Sequence, residues 1–179
     1  MENNAEQQTP LYSILFVCLG NICRSPAAEG IMKHIAKEKG ISDKLFIDSA
    51  GIGNWHEGEL PDARMRVHGS KRGYDFNSRA RQIKRTDLDR FDLILVMDED
   101  NYEDVCSLTE NPEKQAKVRR MADYLNRFRG HKSVPDPYYG GEAGFELVLD
   151  LLEDGCTELA DILKTAIEGH YKDILRNRN

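Results

Sequence analysis

Leu11-Tyr-Ser-Ile-Leu-Phe-Val-Cys-Leu-Gly-Asn-Ile-Cys-Arg-Ser-Pro26 sets an apolar run, a short loop and a helix start in direct succession. Leu11 to Val17 reads as a buried strand, because it is short, apolar and rich in β-branched and aromatic residues. Ser25 suits a helix N-cap and Pro26 the first helical position. Behind them Ala28, Ile31, Met32 and Ile35 fall on one helical face, and Gly40 stands where a C-cap glycine would end the helix. The loop from Cys18 to Arg24 therefore turns at the carboxyl end of a strand, with its N–H groups able to converge beside a helix N-terminus. That is an anion site.

The residues in the loop suit phosphoryl chemistry. Amide dipoles, a helix start and a guanidinium lower a thiol pKa from ~8.5 to roughly 3.5–7.5, so Cys18 is expected as a thiolate nucleophile. Arg24 offers a rigid fork matched to two phosphate oxygens. Gly20 permits close backbone approach, and Asn21 tolerates a left-handed conformation. Ser25 has two competing uses, capping the helix or directing its hydroxyl at the thiolate. An acid for the leaving group is sought downstream, in Ser133-Val-Pro-Asp-Pro-Tyr-Tyr-Gly-Gly141. There Asp136 sits in a loop stiffened by two prolines, and Tyr138 and Tyr139 can wall a pocket for an aromatic ring.

The rest of the chain alternates strands and helices. Lys44 to Ser49 reads as a second strand, followed by a loop through Pro61. Asp62 to Arg72 reads as a helix ended by Gly73. Phe91 to Met97 is a continuous apolar strand of the kind covered on both faces, and Asp98 with Asp100 is an acidic helix start. Lys117 to Met121 is a weak fourth strand. A helix stripe of Phe145, Val148, Leu149, Leu152, Cys156, Leu159 and Leu163 spans about Gly144 to Glu168, with Gly169 as its stop. This pattern predicts a single α/β domain with a parallel sheet flanked by helices and a site at the strands' carboxyl edge. The domain is expected over residues 11–169, with polar tails at 1–10 and 170–179.

The chain resembles the low-molecular-weight protein tyrosine phosphatase family from about Leu11 to about Ile167. The resemblance rests on Val17-Cys-Leu-Gly-Asn-Ile-Cys-Arg-Ser-Pro26, Asp48-Ser-Ala-Gly51, Ala80-Arg-Gln82, Met97-Asp-Glu-Asp-Asn101 and Asp136-Pro-Tyr-Tyr-Gly140. It implies a four-stranded parallel sheet, Cys18 as the residue that becomes phosphocysteine, Arg24 as phosphate clamp and Asp136 as general acid, then base. It also implies that Leu19, Gly20, Asn21, Ile22, Cys23 and Ser25 form the phosphate loop, and that Ser49 hydrogen-bonds Asn21. The implied substrate is a phosphotyrosine protein or aryl phosphate, with a bacterial tyrosine kinase as a candidate partner. Trp55 falls where the family often sets an aromatic against the substrate ring, opposite Tyr138 and Tyr139; a surface aromatic is the other reading. Cys23 is either a reversible disulfide partner of Cys18, as is common in the family, or a small buried residue. One departure stands out: eukaryotic members often carry a histidine two residues before Ala-Arg-Gln, and here that position is Ser78.

Two other activities stay open. Arsenate reductases of this fold relay a disulfide through a cysteine directly after a strand like Asp92–Met97, and here that position is Asp98. A cradle without an acid could be a phosphate-binding or phosphocysteine carrier module, which Asp136 argues against. The net charge of −6 gives no reason to expect nucleic acid. Apolar runs of about seven residues are too short for a membrane span, and residues 1–10 lack a signal-peptide pattern. Four cysteines in 179 residues are no secreted disulfide framework. A cytoplasmic monomer without metal or cofactor is expected. His34, His56, His68, His131 and His170 have no metal-ligand spacing. His56 is read as a solvated loop residue that could touch a substrate. In Arg79, Arg81, Lys84 and Arg85 one arginine is expected to be structural, unless the cluster is a docking patch.

Overall fold

The computed structural model describes residues 9–138 and 140–176, with side chains as far as His170. Four parallel strands, β1 (Tyr12–Cys18), β2 (Leu45–Gly51), β3 (Leu93–Val96) and β4 (Val118–Arg120), lie in the order β2-β1-β3-β4. The helices are α1 (Arg24–Glu38), α2 (Ala63–Lys71), α3 (Asp87–Arg90), α4 (Glu99–Cys106), α5 (Pro112–Gln115) and α6 (Glu142–Arg176).

Strand β1 is central and its alternation builds two cores. Ile14, Phe16 and Cys18 face α1 and α6, where they join Ile31, Met32, Leu149 and Leu152. Leu15 and Val17 face the other way and pack with Leu88, Phe91, Ile94, Val96 and Val105. Successive side chains of a strand point to opposite faces, so a sheet covered on both faces needs an unbroken apolar strand. Helix α1 buries Ala28, Ile31, Met32, Ile35 and Ala36 and ends as expected at Gly40, whose φ is 72°. There the Gly40 N–H donates to Lys37 O and the Ile41 N–H to Ala36 O, the paired bonds of a Schellman turn.

Strand β3 is shorter than expected, at Leu93–Val96, and α1, β2 and α6 differ in ways with a physical reason. Helix α1 begins at Arg24, one residue before Ser25, and no side chain caps it. The Ser25 hydroxyl is instead turned toward Cys18 and Asn21, and Pro26 falls later in the first turn, where helix N–H groups have no intrahelical partner anyway. Strand β2 runs on to Gly51, because Gly51 is in register with Cys18 and is bridged on its far side to the Arg81–Ile83 segment. Helix α6 starts at Glu142 and passes through Gly169 to Arg176, so residues 170–176 of the expected tail are helical. Gly169 is not among the glycines with positive φ; left in the helical region it costs only about 1 kcal/mol against alanine. The expected N-terminal tail lies outside the described residues as far as Gln8.

Leu152 is fully buried between α6 and the sheet. Replacing it with alanine is expected to lower unfolding free energy by about 2–5 kcal/mol, read from a shifted denaturant midpoint at unchanged slope.

Candidate active site

The loop after β1 is held open from outside. Its carbonyls at Cys18, Leu19 and Ile22 accept from the N–H groups of Ile52 (2.9 Å), Gly53 (2.9 Å) and Asp62 (2.7 Å). In a planar trans peptide the N–H points opposite to the carbonyl. The following N–H groups, of Leu19, Gly20 and Cys23, are therefore directed away from those neighbours. Asn21 sits at φ 57°, in the left-handed region that an L residue enters at a cost of roughly 1–2 kcal/mol. Its side chain compensates three times: Nδ2 donates to Ser25 Oγ (2.7 Å) and Ser49 Oγ (2.9 Å), and Oδ1 accepts from the Arg81 N–H (3.0 Å). The Ser49 contact is the one the resemblance implied. Arg81 is the structural arginine of its cluster, clamped between Asp48 and Asp87.

Two glycines shape the loop. The missing side chain of Gly20 makes room for the His56 ring, whose Cδ2 would lie 3.3 Å from a Cβ there. At Gly51 the backbone of the loop itself comes close: a Cβ would stand 2.9 Å from the carbonyl carbon of Gly20 and 3.0 Å from Asn21 N.

Cys18 and Arg24 are buried at the floor of a cavity of about 280 Å³, which Asp136, Trp55, His56 and Tyr138 also line. The Cys18 sulfur lies 3.0 Å from Ser25 Oγ. Arg24 Nη1 donates to Asp98 Oδ2 (2.6 Å) and to the Val134 carbonyl (3.1 Å), and Nη2 is 3.6 Å from Asp136 Oδ2. Burial opposes the charge on this guanidinium, but Cys18, the Asp98 hydrogen bond and charge, and Asp136 outweigh it and hold its pKa above the usual arginine value. Asp98 is thus both the N-cap of α4, accepting from Asn101 N (2.9 Å), and the anchor of Arg24. In the sequence Asp98 reads as part of an acidic helix start, within the Met97–Asn101 motif and at the position where a reductase relay has cysteine; none of these points to Arg24.

Asp136 Oδ1 accepts from the Tyr138 N–H (3.0 Å), which aims the carboxylate into the cavity from a loop distant in sequence. At the rim Leu19, Trp55 and Tyr138 are exposed. Trp55 leans on Gly53, where a Cβ would come within 2.1 Å of its ring, and lines the cavity. His56, read as a solvated loop residue, belongs to the cavity wall, with Nδ1 2.8 Å from Glu59 Oε2. Ile22 and Cys23, within the loop, are buried and also line the cavity. Tyr139 lies outside the described residues.

The comparisons with known proteins follow this geometry. The family profile described as low molecular weight phosphotyrosine protein phosphatase matches residues 13–169. The chain belongs to that family. A Synechocystis sp. protein, named as a candidate low molecular weight protein-tyrosine-phosphatase, is 51% identical over 146 residues, 82% of this chain and 92% of its own. The low molecular weight protein-tyrosine-phosphatase YfkJ of Bacillus subtilis is 41% identical over 150 residues, 83% of this chain and 94% of its own. A protein tyrosine phosphatase from Entamoeba histolytica, solved with Hepes in its active site, superposes with a TM-score of 0.83 at 42% identity, covering 87% of this chain and 98% of its own. The four-stranded phosphatase fold that the resemblance implied is therefore the fold this chain has, and the chain is an enzyme of the low-molecular-weight phosphatase kind.

All four cysteines are free. Burial, followed by the charges of Asp62, Cys18 and Asp136, pushes the Cys23 thiol far up. Burial does the same to Cys156 and, to a lesser degree, to Cys106. In the folded protein these three thiols hold their protons to higher pH than in the unfolded chain. Iodoacetamide up to pH 9.0, the ordinary thiol value, is expected to leave Cys23 and Cys156 unmodified in the native protein and to label both in denaturant, as read by peptide mass mapping.

Proposed function

We propose that this phosphatase hydrolyses phosphotyrosine through a phosphocysteine intermediate, with Cys18 as nucleophile, Arg24 as clamp and Asp136 as general acid and base. The convergence of these three side chains on one small cavity carries the reading. The phosphate dianion sits in the ring of loop N–H groups, and the Arg24 fork takes two of its oxygens. Cys18 Sγ attacks phosphorus in line; the S–P bond forms as the P–O bond to the ring breaks. Asp136 gives its proton to the departing phenolate oxygen. Water then attacks phosphorus from the vacated side while Asp136 takes its proton, releasing phosphate and restoring the thiolate.

Trp55 and Tyr138 at the mouth suit an aryl group, and the Hepes bound by the Entamoeba relative carries a sulfonate, a tetrahedral anion like phosphate. A shorter phosphoserine side chain would have to bring its peptide past that rim. Cys23 lines the same cavity and is the partner for reversible oxidation: peroxide would take two thiols to a Cys18–Cys23 disulfide with release of two waters, sparing Cys18 from higher oxides. The position at which an arsenate reductase relay needs a cysteine is held by Asp98, which is engaged with Arg24.

Cys18→Ser is expected to abolish turnover of phosphotyrosine peptide while retaining phosphate binding by calorimetry; turnover above background would remove Cys18 as nucleophile. One equivalent of phenol per wild-type protein, without further turnover, would support a carrier instead. Asp136→Asn is expected to slow phosphotyrosine hydrolysis by ~10²–10⁴, the usual worth of a general acid, and to slow p-nitrophenyl phosphate markedly less. Equal losses on the two substrates would count against Asp136 as the acid.

A further inference from the structure

Glu29 is a carboxylate with 5% exposure on the inner face of α1, and nothing in the chemistry above uses it. Its Oε1 accepts from Ser49 Oγ (2.7 Å), and its Oε2 accepts from Lys33 Nζ (2.7 Å) one turn along the helix. From Ser49 the hydrogen bonds continue to Asn21 Nδ2 (2.9 Å), from Asn21 Nδ2 to Ser25 Oγ (2.7 Å), and from Ser25 to Cys18 Sγ (3.0 Å).

The direction of each bond follows from donor count. A carboxylate only accepts. Ser49 has one proton, and when that proton goes to Glu29 its oxygen must accept from Asn21. The Asn21 amide is set the same way from its other end, where Oδ1 receives the Arg81 N–H. Ser25 Oγ then accepts from Asn21, which leaves its own proton for Cys18 Sγ or the Ala50 carbonyl at 3.3 Å. Were Glu29 unable to accept, the Ser49 proton would lose its acceptor and nothing would hold the hydroxyl lone pair on the Asn21 NH₂. The left-handed residue would lose one of its three ties.

We infer that Glu29 is a positioning residue for Cys18: it is the acceptor-only end of a Glu29–Ser49–Asn21–Ser25 chain that fixes both the loop and the hydroxyl facing the sulfur. The inference rests on Cys18 being the nucleophile, so its test reads the thiol itself. Three variants separate acceptor reach from charge. Glu29→Gln keeps the length and an accepting oxygen. Glu29→Asp keeps the charge but withdraws it by one methylene, and Glu29→Met removes the acceptor.

The second-order rate of Cys18 alkylation by iodoacetate, assigned by mass spectrometry on the full chain, is expected to fall about tenfold in Asp and Met, comparable to the net worth of one hydrogen bond. Gln should stay within about threefold of wild type, and kcat on p-nitrophenyl phosphate should follow the same order. Alkylation at the wild-type rate in Asp would overturn the inference, as would an active Asp beside an impaired Gln, the order a purely electrostatic role demands. Should Met fail to fold, Asp decides alone, since it retains the helix and the Lys33 partner. A wild type that alkylates at Cys18 but never turns over would sink the phosphatase reading and leave the chain of bonds standing.

Discussion

A ring of amide dipoles aimed at one point is self-repelling, so it persists only if the opposite ends of those peptides are bound elsewhere. Here the carbonyls of Cys18, Leu19 and Ile22 are bound by Ile52, Gly53 and Asp62. The left-handed turn at Asn21, which redirects the chain between them, is tied by three side-chain bonds. The rest of the fold serves this arrangement. Strand β2 extends to Gly51 because the loop must lie against a residue without a side chain. The Arg81 segment bridges to Gly51 and reaches Asn21 from the far side. The loop is thus fixed by bonds within the protein, and in the proposed reaction its dipoles would stabilise charge without reorganisation cost.

The same logic governs Arg24. A buried guanidinium is costly unless paired and hydrogen-bonded, and in this cavity Asp98 and the Val134 carbonyl hold one nitrogen while the other faces the pocket beside Asp136. Asp98 also caps α4, so the arginine's orientation is referred to a helix and, through it, to the end of β3. A lysine would present one nitrogen where Arg24 uses two, and could not hold Asp98 while facing Asp136 across the pocket in this way.

Sheet and cradle were legible because their signals are local. An unbroken apolar β1, a seven-residue loop and the Ile31–Ile35 stripe lie within one short stretch of chain, and parallel pairing follows from alternation with helices. What escaped was non-local or already accounted for. The cap at Asp98 explained that residue, and no spacing pointed to Arg24 as its partner. Ser25 satisfied two readings in sequence, and only the position of Asn21 chose between them. Gly169 looked like a stop because glycine is common there, yet a stop needs a left-handed turn and a tertiary reason to leave the helix, and α6 has neither at that point. Glu29 carried no signal of its place: with Lys33 at i+4 it has the pattern of a surface pair, yet its other oxygen bonds Ser49.

The site also runs from dry to wet. Cys18 is 3% exposed, the Asp136 side chain 35%, and Trp55 at the rim 65%. The attack by sulfur proposed above would gain from the dry end, where fixed dipoles act in a low dielectric and water does not compete for an anion. Hydrolysis of a phosphocysteine needs the reverse, a water delivered to the face that the leaving group has vacated. In-line geometry puts that face opposite the buried sulfur, toward the mouth. A carboxylate at the mouth can therefore meet the departing oxygen first and the incoming water second without moving. A carrier would gain by burying or deleting that carboxylate, so the half-open position of Asp136 fits the proposed hydrolysis better than a carrier.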